Sequence, residues 1–361
     1  MKGLVNKALV LIAFLILLTV VVSSTVKYVA EKGITPQTIL EDMTLEQKVG
    51  QLFILGFWGK EPDYYITKMI TERNVGGIIL LGYNIDDEDQ LKKLTSDLQD
   101  MSSTPLFISI DQEGGEVSRI RFEDTYNISQ FDIRDENGAF NLAKQRGQQL
   151  REFGINMNFS PVLDNVSNED SFLYTRAFRG DADNIASLAI AMIEGYREGG
   201  IIACIKHFPG YSNESLDAHS ALDTIEITKE DLGLYIYPFK EALKSTDAVM
   251  MGHILFPNID ANSPTSVSKY FVNDLLREEL KFEGLIITDD MQMKSIYDMY
   301  SIKEAAVRAI LVGNDILVYT GDPQEQAEAY NAVLEAVREG VIKEEEIDKK
   351  VLKILNLKYS L

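Results

Sequence analysis

The segment at residues 205–220 reads IKHFPGYSNESLDAHS and gathers groups that can move protons and bind polar ligands. It contains two of the three histidines of the chain, His207 and His219, together with Lys206 and Asp217. An imidazole titrates at about 6.5 when unperturbed, so it can both give and take a proton near neutral pH. An aspartate two residues earlier on the same loop can orient that ring and stabilise its charged form, which Asp217 could do for His219. An apolar run at 201–205 precedes the segment and Pro209-Gly210 breaks it, the pattern of a buried strand that runs into a loop.

Groups of this kind need rigid elements to aim them. Apolar runs of strand length occur at 51–57, 77–81, 106–110, 156–162, 202–207, 248–253, 285–288 and 315–319. Segments with helical spacing and exposed charge lie between them, at 87–101, 138–153, 183–197, 229–244, 266–280 and 302–312, and two closing helices follow at 324–340 and 344–357. Strands without polar alternation are those covered on both faces. Eight repeats of strand and helix predict a single (β/α)8 TIM-type barrel, whose functional groups collect at the C-terminal ends of its strands. A doubly wound open sheet would want a glycine-rich turn after its first strand, and Phe57-Trp58-Gly59-Lys60 is not one.

The predicted strand ends carry a consistent chemistry. The third runs into Asp111-Gln112-Glu113-Gly114-Gly115, with Arg119 beyond it. The fourth ends at Asp164, and Arg176 follows in TRAFRG. The fifth ends in Lys206-His207, the sixth in His253 and the seventh in Thr288-Asp289-Asp290. Closely set carboxylates, cations and imidazoles suit a ligand rich in hydroxyls. A carboxylate fixed at a strand end can also attack an anomeric carbon, provided that a second group protonates the departing oxygen.

The formal charge of −21, from 35 basic and 56 acidic residues, argues against a nucleic-acid partner, because a phosphate backbone calls for a basic face. The single cysteine, Cys204, lies inside an apolar strand and reads as core. At the N-terminus, Lys2 and Lys7 precede an apolar run at 8–22, which predicts a signal peptide or an uncleaved signal-anchor over 1–26, able to tether the chain to a membrane. No cysteine follows for lipid attachment. A polar linker is expected over 27–42 and a folded body over 43–361, secreted or membrane-anchored outside the cytoplasm and monomeric. Thr44-Leu45-Glu46-Gln47 has the spacing of a helix capping box.

Five blocks, in order, resemble glycoside hydrolase family 3 in its single-domain β-N-acetylhexosaminidase branch: MTLEQKVGQLF (43–53), ISIDQEGGEVSR (108–119), NFSPVLD (158–164), KHFPG (206–210) and GLIITDDMQM (284–293). The resemblance implies a barrel acting on N-acetylglucosamine linkages with net retention and without a cofactor. By position it implies Asp289 as nucleophile, His219 as acid/base and Asp217 as its partner. It further implies that Asp111, Arg119, Arg176, Lys206 and His207 bind the terminal sugar. Cell-wall muropeptides or chito-oligosaccharides are the expected substrates. A phosphorylase, a β-glucosidase and a non-catalytic sugar-binding barrel are the alternatives. The branch usually continues KHFPG with His-Gly, where this chain has Tyr211 and Ser212.

Plainer readings exist for several residues. Asp289 could cap the following helix, and Asp290 suits a cap or a supporting partner. His253 has no partner at a telling spacing and reads as structural. No metal is expected, since neither His-x-x-x-His nor His-Glu-x-x-His occurs. Gly114-Gly115 reads as tight backbone passage beside the sugar, not a phosphate cradle, because no Gly-Lys-Ser/Thr follows.

Overall fold

A computed structural model describes residues 35–122, 127–211 and 222–361. The apolar run at 8–22 and the pair Asp217 and His219 lie outside them. Among the described residues no helix is long and apolar enough to cross a membrane. The chain divides into two compact units, Met1–Met43 and Thr44–Leu361.

The described part of the first unit departs from the expected linker. It holds a helix, Pro36–Asp42, capped by Thr35, whose hydroxyl accepts from the Thr38 amide while the Thr38 hydroxyl accepts from the Thr35 amide. Pro36 suits the first turn, where an amide proton has no intrahelical acceptor. The signal here is in the cap, not in apolar spacing, so a reading by periodicity passes over it.

The second unit opens with the predicted capping box. Thr44 Oγ1 accepts from the Gln47 amide at 3.3 Å and Gln47 Oε1 from the Thr44 amide at 3.0 Å, starting the helix Leu45–Gly50. Among the described residues ten strands follow: β1 (Phe53–Leu55), β2 (Gly77–Leu80), β3 (Phe107–Ile110), β4 (Met157–Asn158), β5 (Ile202–Phe208), β6 (Asp223–Thr224), β7 (Ala248–Met251), β8 (Ile254–Leu255), β9 (Leu285–Asp290) and β10 (Ile316–Tyr319). Eight of them close a parallel barrel in the order β1-β10-β9-β7-β5-β4-β3-β2, while β6 and β8 form a separate pair. The barrel strands are buried along nearly their whole length, as expected when side chains fill the interior and helices cover the outside. Gly77 permits the approach of β2 to β3, since a Cβ there would lie 2.5 Å from the Phe107 carbonyl oxygen.

Most helices fall where the periodicity puts them, including Glu88–Met101, Glu136–Glu152, Ala182–Glu198 and Ile302–Val312. Two do not run as read. The helix expected over 229–244 is divided into Lys229–Tyr235 and Tyr237–Ala242, with Pro238 in the first turn of the second piece, because proline has no amide to bond back across the break. The helix expected over 266–280 becomes a short turn, Thr265–Val267, and a wide i→i+5 helix, Tyr270–Glu279.

The C-terminal helix, Glu344–Lys358, braces the N-terminal end of the barrel with lysines. Lys358 Nζ donates to Gln51 Oε1 at 2.8 Å and Lys350 Nζ to the Asn314 carbonyl at 2.7 Å, residues that lead into β1 and β10. Asp315 binds both Arg277 and Lys353 at the same end.

Candidate active site

The barrel is regular except at two places, and both adjoin the candidate residues. The β5–β7 register shifts between Ile205 and Phe208, and the β10–β9 register shifts between Ile316 and Val318, where Val318 pairs with Asp290. Such irregularities re-aim side chains that a straight ladder would alternate in and out. The first falls on Lys206 and His207, and the second on the end of the Asp289-Asp290 strand.

A cavity of about 460 Å³ opens at the C-terminal ends of the strands. Asp111, Arg119, Arg176, Lys206, His207 and Asp289 all line it, so six of the eight residues singled out by sequence meet at one place. The other two, Asp217 and His219, lie outside the described residues. Tyr211, the last described residue before them, is part of the lining.

One wall of the cavity is a buried ion network. Lys206 Nζ lies 2.6 Å from Asp111 Oδ1 and 2.6 Å from Glu113 Oε1. Arg176 holds Glu113 with two parallel bonds, Nε to Oε2 and Nη2 to Oε1, each 2.9 Å. Burial would raise the Glu113 carboxyl, but Arg176 and Lys206 hold it well below the usual carboxylate range. Burial would likewise depress Lys206, and Asp111 and Glu113 instead hold it above its ordinary value. Glu113, Lys206 and Arg176 are therefore charged. Arg119 is less engaged. Its Nη2 is 3.7 Å from Asp111 Oδ2, and its buried Nε has no partner among the described residues. A ligand hydroxyl or carbonyl would satisfy that donor.

The opposite side is built on imidazoles. His207 Nδ1 meets Asp164 Oδ2 at 2.8 Å, and Asp164 Oδ1 accepts from the Tyr211 amide at 2.7 Å. The buried His253 places Nε2 at 3.0 Å from the Asp290 carbonyl, which can only accept, so Nε2 carries the proton. Its Nδ1 lies 2.7 Å from the Ser266 hydroxyl. His253 thus fixes the backbone at the end of β9.

Asp289 sits between these walls. Burial alone would raise its carboxyl. His207 and His253, the Asp290 amide that donates to Oδ1 at 2.8 Å, and Lys206 outweigh burial and hold it below its ordinary value. The neighbouring Asp290 goes the other way. Burial, together with the charge of Asp289, pushes it up to about 6 against the pull of the Thr320 hydroxyl and of amides from Gln292 and Thr320. Those bonds tie β9 to the end of β10. Adjacent carboxyl groups driven apart in this way suit different uses: Asp289 favours the ionised form, and Asp290 is tied to Thr320 and Gln292.

Sequence reasoning gave no role to Glu113, Tyr83 or Phe172, which also line the cavity, nor to Asp164 behind His207. Glu113 and Asp164 lie inside the motif blocks, but their partners are distant in sequence. Gly114 and Gly115 do mark tight passage, at φ 95° and 60°. The close neighbour, however, is the protein's own 127–129 segment and not a ligand. A Cβ on Gly114 would lie 2.0 Å from the Ile128 carbonyl oxygen, and one on Gly115 2.9 Å from Ser129 Cβ.

Comparison with known proteins agrees with this geometry. A β-hexosaminidase of Nitrosomonas eutropha is 33% identical over 269 residues, covering 70% of this chain and 76% of that protein. A glycoside hydrolase family 3 β-N-acetylglucosaminidase from a Paenibacillus species superposes with a TM-score of 0.84 at 38% identity; the match covers 88% of this chain and spans 62% of that one. A β-N-acetylhexosaminidase from Beutenbergia cavernae gives 0.81 at 28% identity, covering 88% of this chain and 99% of the other. The profile of the glycosyl hydrolase family 3 N terminal domain matches residues 44–357. Because that match takes in every strand of the barrel, and with them every described residue of the cavity, the chain belongs to glycosyl hydrolase family 3 and is a glycosidase.

Proposed function

We propose that this glycosidase is a retaining exo-β-N-acetylglucosaminidase. The observation that carries the mechanism is Asp289, a part-buried carboxylate at the end of β9 held below its ordinary value against desolvation, in a pocket walled by charged donors and acceptors. That the similar proteins are a β-hexosaminidase, a β-N-acetylglucosaminidase and a β-N-acetylhexosaminidase supports N-acetylglucosamine as the sugar removed.

A terminal sugar enters with its hydroxyls against Asp111 and Lys206 and its remaining polar groups near Arg119, Arg176 and His207. An Asp289 oxygen attacks the anomeric carbon while the bond to the glycosidic oxygen breaks. That oxygen takes a proton from His219, whose charged ring Asp217 stabilises. Water then adds to the same carbon, gives its proton to His219 and displaces Asp289. Two inversions give net retention. A histidine is a suitable acid/base because Asp111 and Glu113 are consumed in ion pairs and Asp290 is tied to Thr320 and Gln292. The cationic start and apolar run at 8–22 support a location outside the cytoplasm, where muropeptides or chito-oligosaccharides would be the substrates.

The test is hydrolysis of the nitrophenyl β-glycosides of N-acetylglucosamine and glucose, with Asp289→Asn and His219→Ala alongside. The reading expects turnover of the N-acetyl substrate, its loss in Asp289→Asn, and a slowed water step in His219→Ala. Added phosphate should leave free sugar, not a sugar phosphate, as product. Full activity in Asp289→Asn would overturn the nucleophile, and preference for the glucoside would overturn the substrate.

A further inference from the structure

Trp58, the one tryptophan of the chain, is 60% exposed and stacks on Tyr83 with ring centroids 4.2 Å apart and planes within 14°. Tyr83 lines the cavity that holds Asp289. The two rings therefore form a continuous aromatic surface from the cavity wall out to solvent.

This pair is built and held. Trp58 follows β1 and Tyr83 follows β2, and Asn84 ties the two loops together by donating from Nδ2 to the Phe57 carbonyl at 2.9 Å and the Gly59 carbonyl at 2.6 Å. Gln90 Nε2 adds a bond to the Lys60 carbonyl at 2.8 Å, and Lys60 pairs with Asp86 at 2.7 Å. Gly59, at φ 108°, turns the chain directly after the indole. In the barrel order β1 and β2 lie across the mouth from β5, which carries Lys206 and His207. An exposed indole fixed in this way spends no rotamer entropy when it meets a ligand.

We propose that Trp58 and Tyr83 form an aglycone subsite, on which the pyranose ring next to the cleaved bond, or the one after it, stacks. The inference rests on the N-acetylglucosaminidase reading and names what that enzyme holds beyond the terminal sugar. An equatorially linked pyranose presents a flat face of C–H bonds, which matches an aromatic face in shape and polarity. Lys60 and Asp86, both exposed beside the pair, suit the hydroxyls at such a ring's edge. The Tyr83 hydroxyl makes no hydrogen bond among the described residues, and burial with the nearby charge of Asp290 raises it above the ordinary phenol value, so it stays a neutral donor.

Two measurements test the subsite. Hydrolysis of N,N′,N″-triacetylchitotriose is compared with that of methyl β-N-acetylglucosaminide in the parent, Trp58→Ala and Trp58→Phe. Losing the stack should lower kcat/KM for the trisaccharide about three- to tenfold more than for the methyl glycoside, chiefly through KM, and phenylalanine should restore most of it. Equal effects on both substrates, or none on either, would overturn the subsite. The second measurement does not depend on turnover. Because Trp58 is the sole tryptophan, its emission in Asp289→Asn reports the platform directly. Chitotriose should shift it saturably and free N-acetylglucosamine should not. An unmoved emission at concentrations of chitotriose that saturate the parent's turnover would overturn the subsite while leaving the enzyme reading intact. Absence of any N-acetylglucosaminide hydrolysis would sink the enzyme reading, and the titration would then judge the platform alone.

Discussion

Glu113 and Asp111 share the ammonium of Lys206, yet their removal should have different consequences. Glu113 is 1% exposed and takes three short contacts, two from Arg176 at 2.9 Å and one from Lys206 at 2.6 Å. Glu113→Gln leaves Arg176, largely enclosed at 15% exposure, with no carboxylate against its guanidinium, a situation that costs about 3–5 kcal/mol when the stranded charge is buried. Asp111 is at the cavity surface, 16% exposed, and its loss leaves Lys206 still paired with Glu113. Asp111→Asn should therefore cost only about 1 kcal/mol of stability while weakening sugar binding. By thermal unfolding, Glu113→Gln should melt on the order of 5–15 °C below the parent, and Asp111→Asn close to it but with a raised KM. The pH dependence follows from the depressed Glu113 carboxyl. Its contribution is complete above an unfolded value of about 4.3 and is lost only as pH falls toward the much lower folded value. The gap between parent and Glu113→Gln should stay level from neutral pH down to that point and narrow below it. Equal melting of Glu113→Gln and the parent, or a gap that closes between neutral pH and mild acid, would refute the reasoning.

Two further outcomes follow from the structure. Asp164→Asn removes the charge that orients His207 through Nδ1; a charge-assisted bond of this kind is worth about 1.5–3 kcal/mol, so kcat/KM should fall roughly 10- to 100-fold, and a variant within twofold of the parent would contradict the pairing. Burial lowers Lys350 to about 8, and this penalty is complete below pH 8 and fades as pH rises toward the unfolded lysine value. A shift of that size corresponds to roughly 3 kcal/mol, and losing the bond to the Asn314 carbonyl returns about 1–2 kcal/mol. Lys350→Met should accordingly raise the melting temperature near pH 7, with the gain gone by about pH 10.5; a gain independent of pH would count against a charged buried lysine.

The barrel was legible because its signal is local. Apolar runs and helical spacing repeat along the chain, and the strands begin within a few residues of where those runs do. Strand ends then fix the rim, which is why Asp111, Lys206 and Asp289 could be grouped before any distance was known. The pairings within the rim were not legible. Lys206 meets Asp111 across 95 residues, Arg176 meets Glu113 across 63 and His207 meets Asp164 across 43. Spacing in sequence says nothing about which of two nearby acids, Asp111 or Glu113, faces ligand and which is spent on cations. The stacking of Trp58 on Tyr83 is hidden for the same reason, since it joins loops that follow different strands. The helix Pro36–Asp42 escaped for the opposite reason, because its signal is confined to its caps.

The proposed mechanism requires Asp289 to form a covalent bond to the sugar. A glycosyl fluoride of N-acetylglucosamine with a second fluorine at ring carbon 5 slows both steps by destabilising the cationic transition state, while the fluoride leaving group favours the first. Intact-mass analysis after mixing should show one glycosyl residue added per chain, and peptide mapping should place it on Asp289. A label on Asp290 or any other residue, or turnover with retention that never yields a labelled chain, would contradict the assignment.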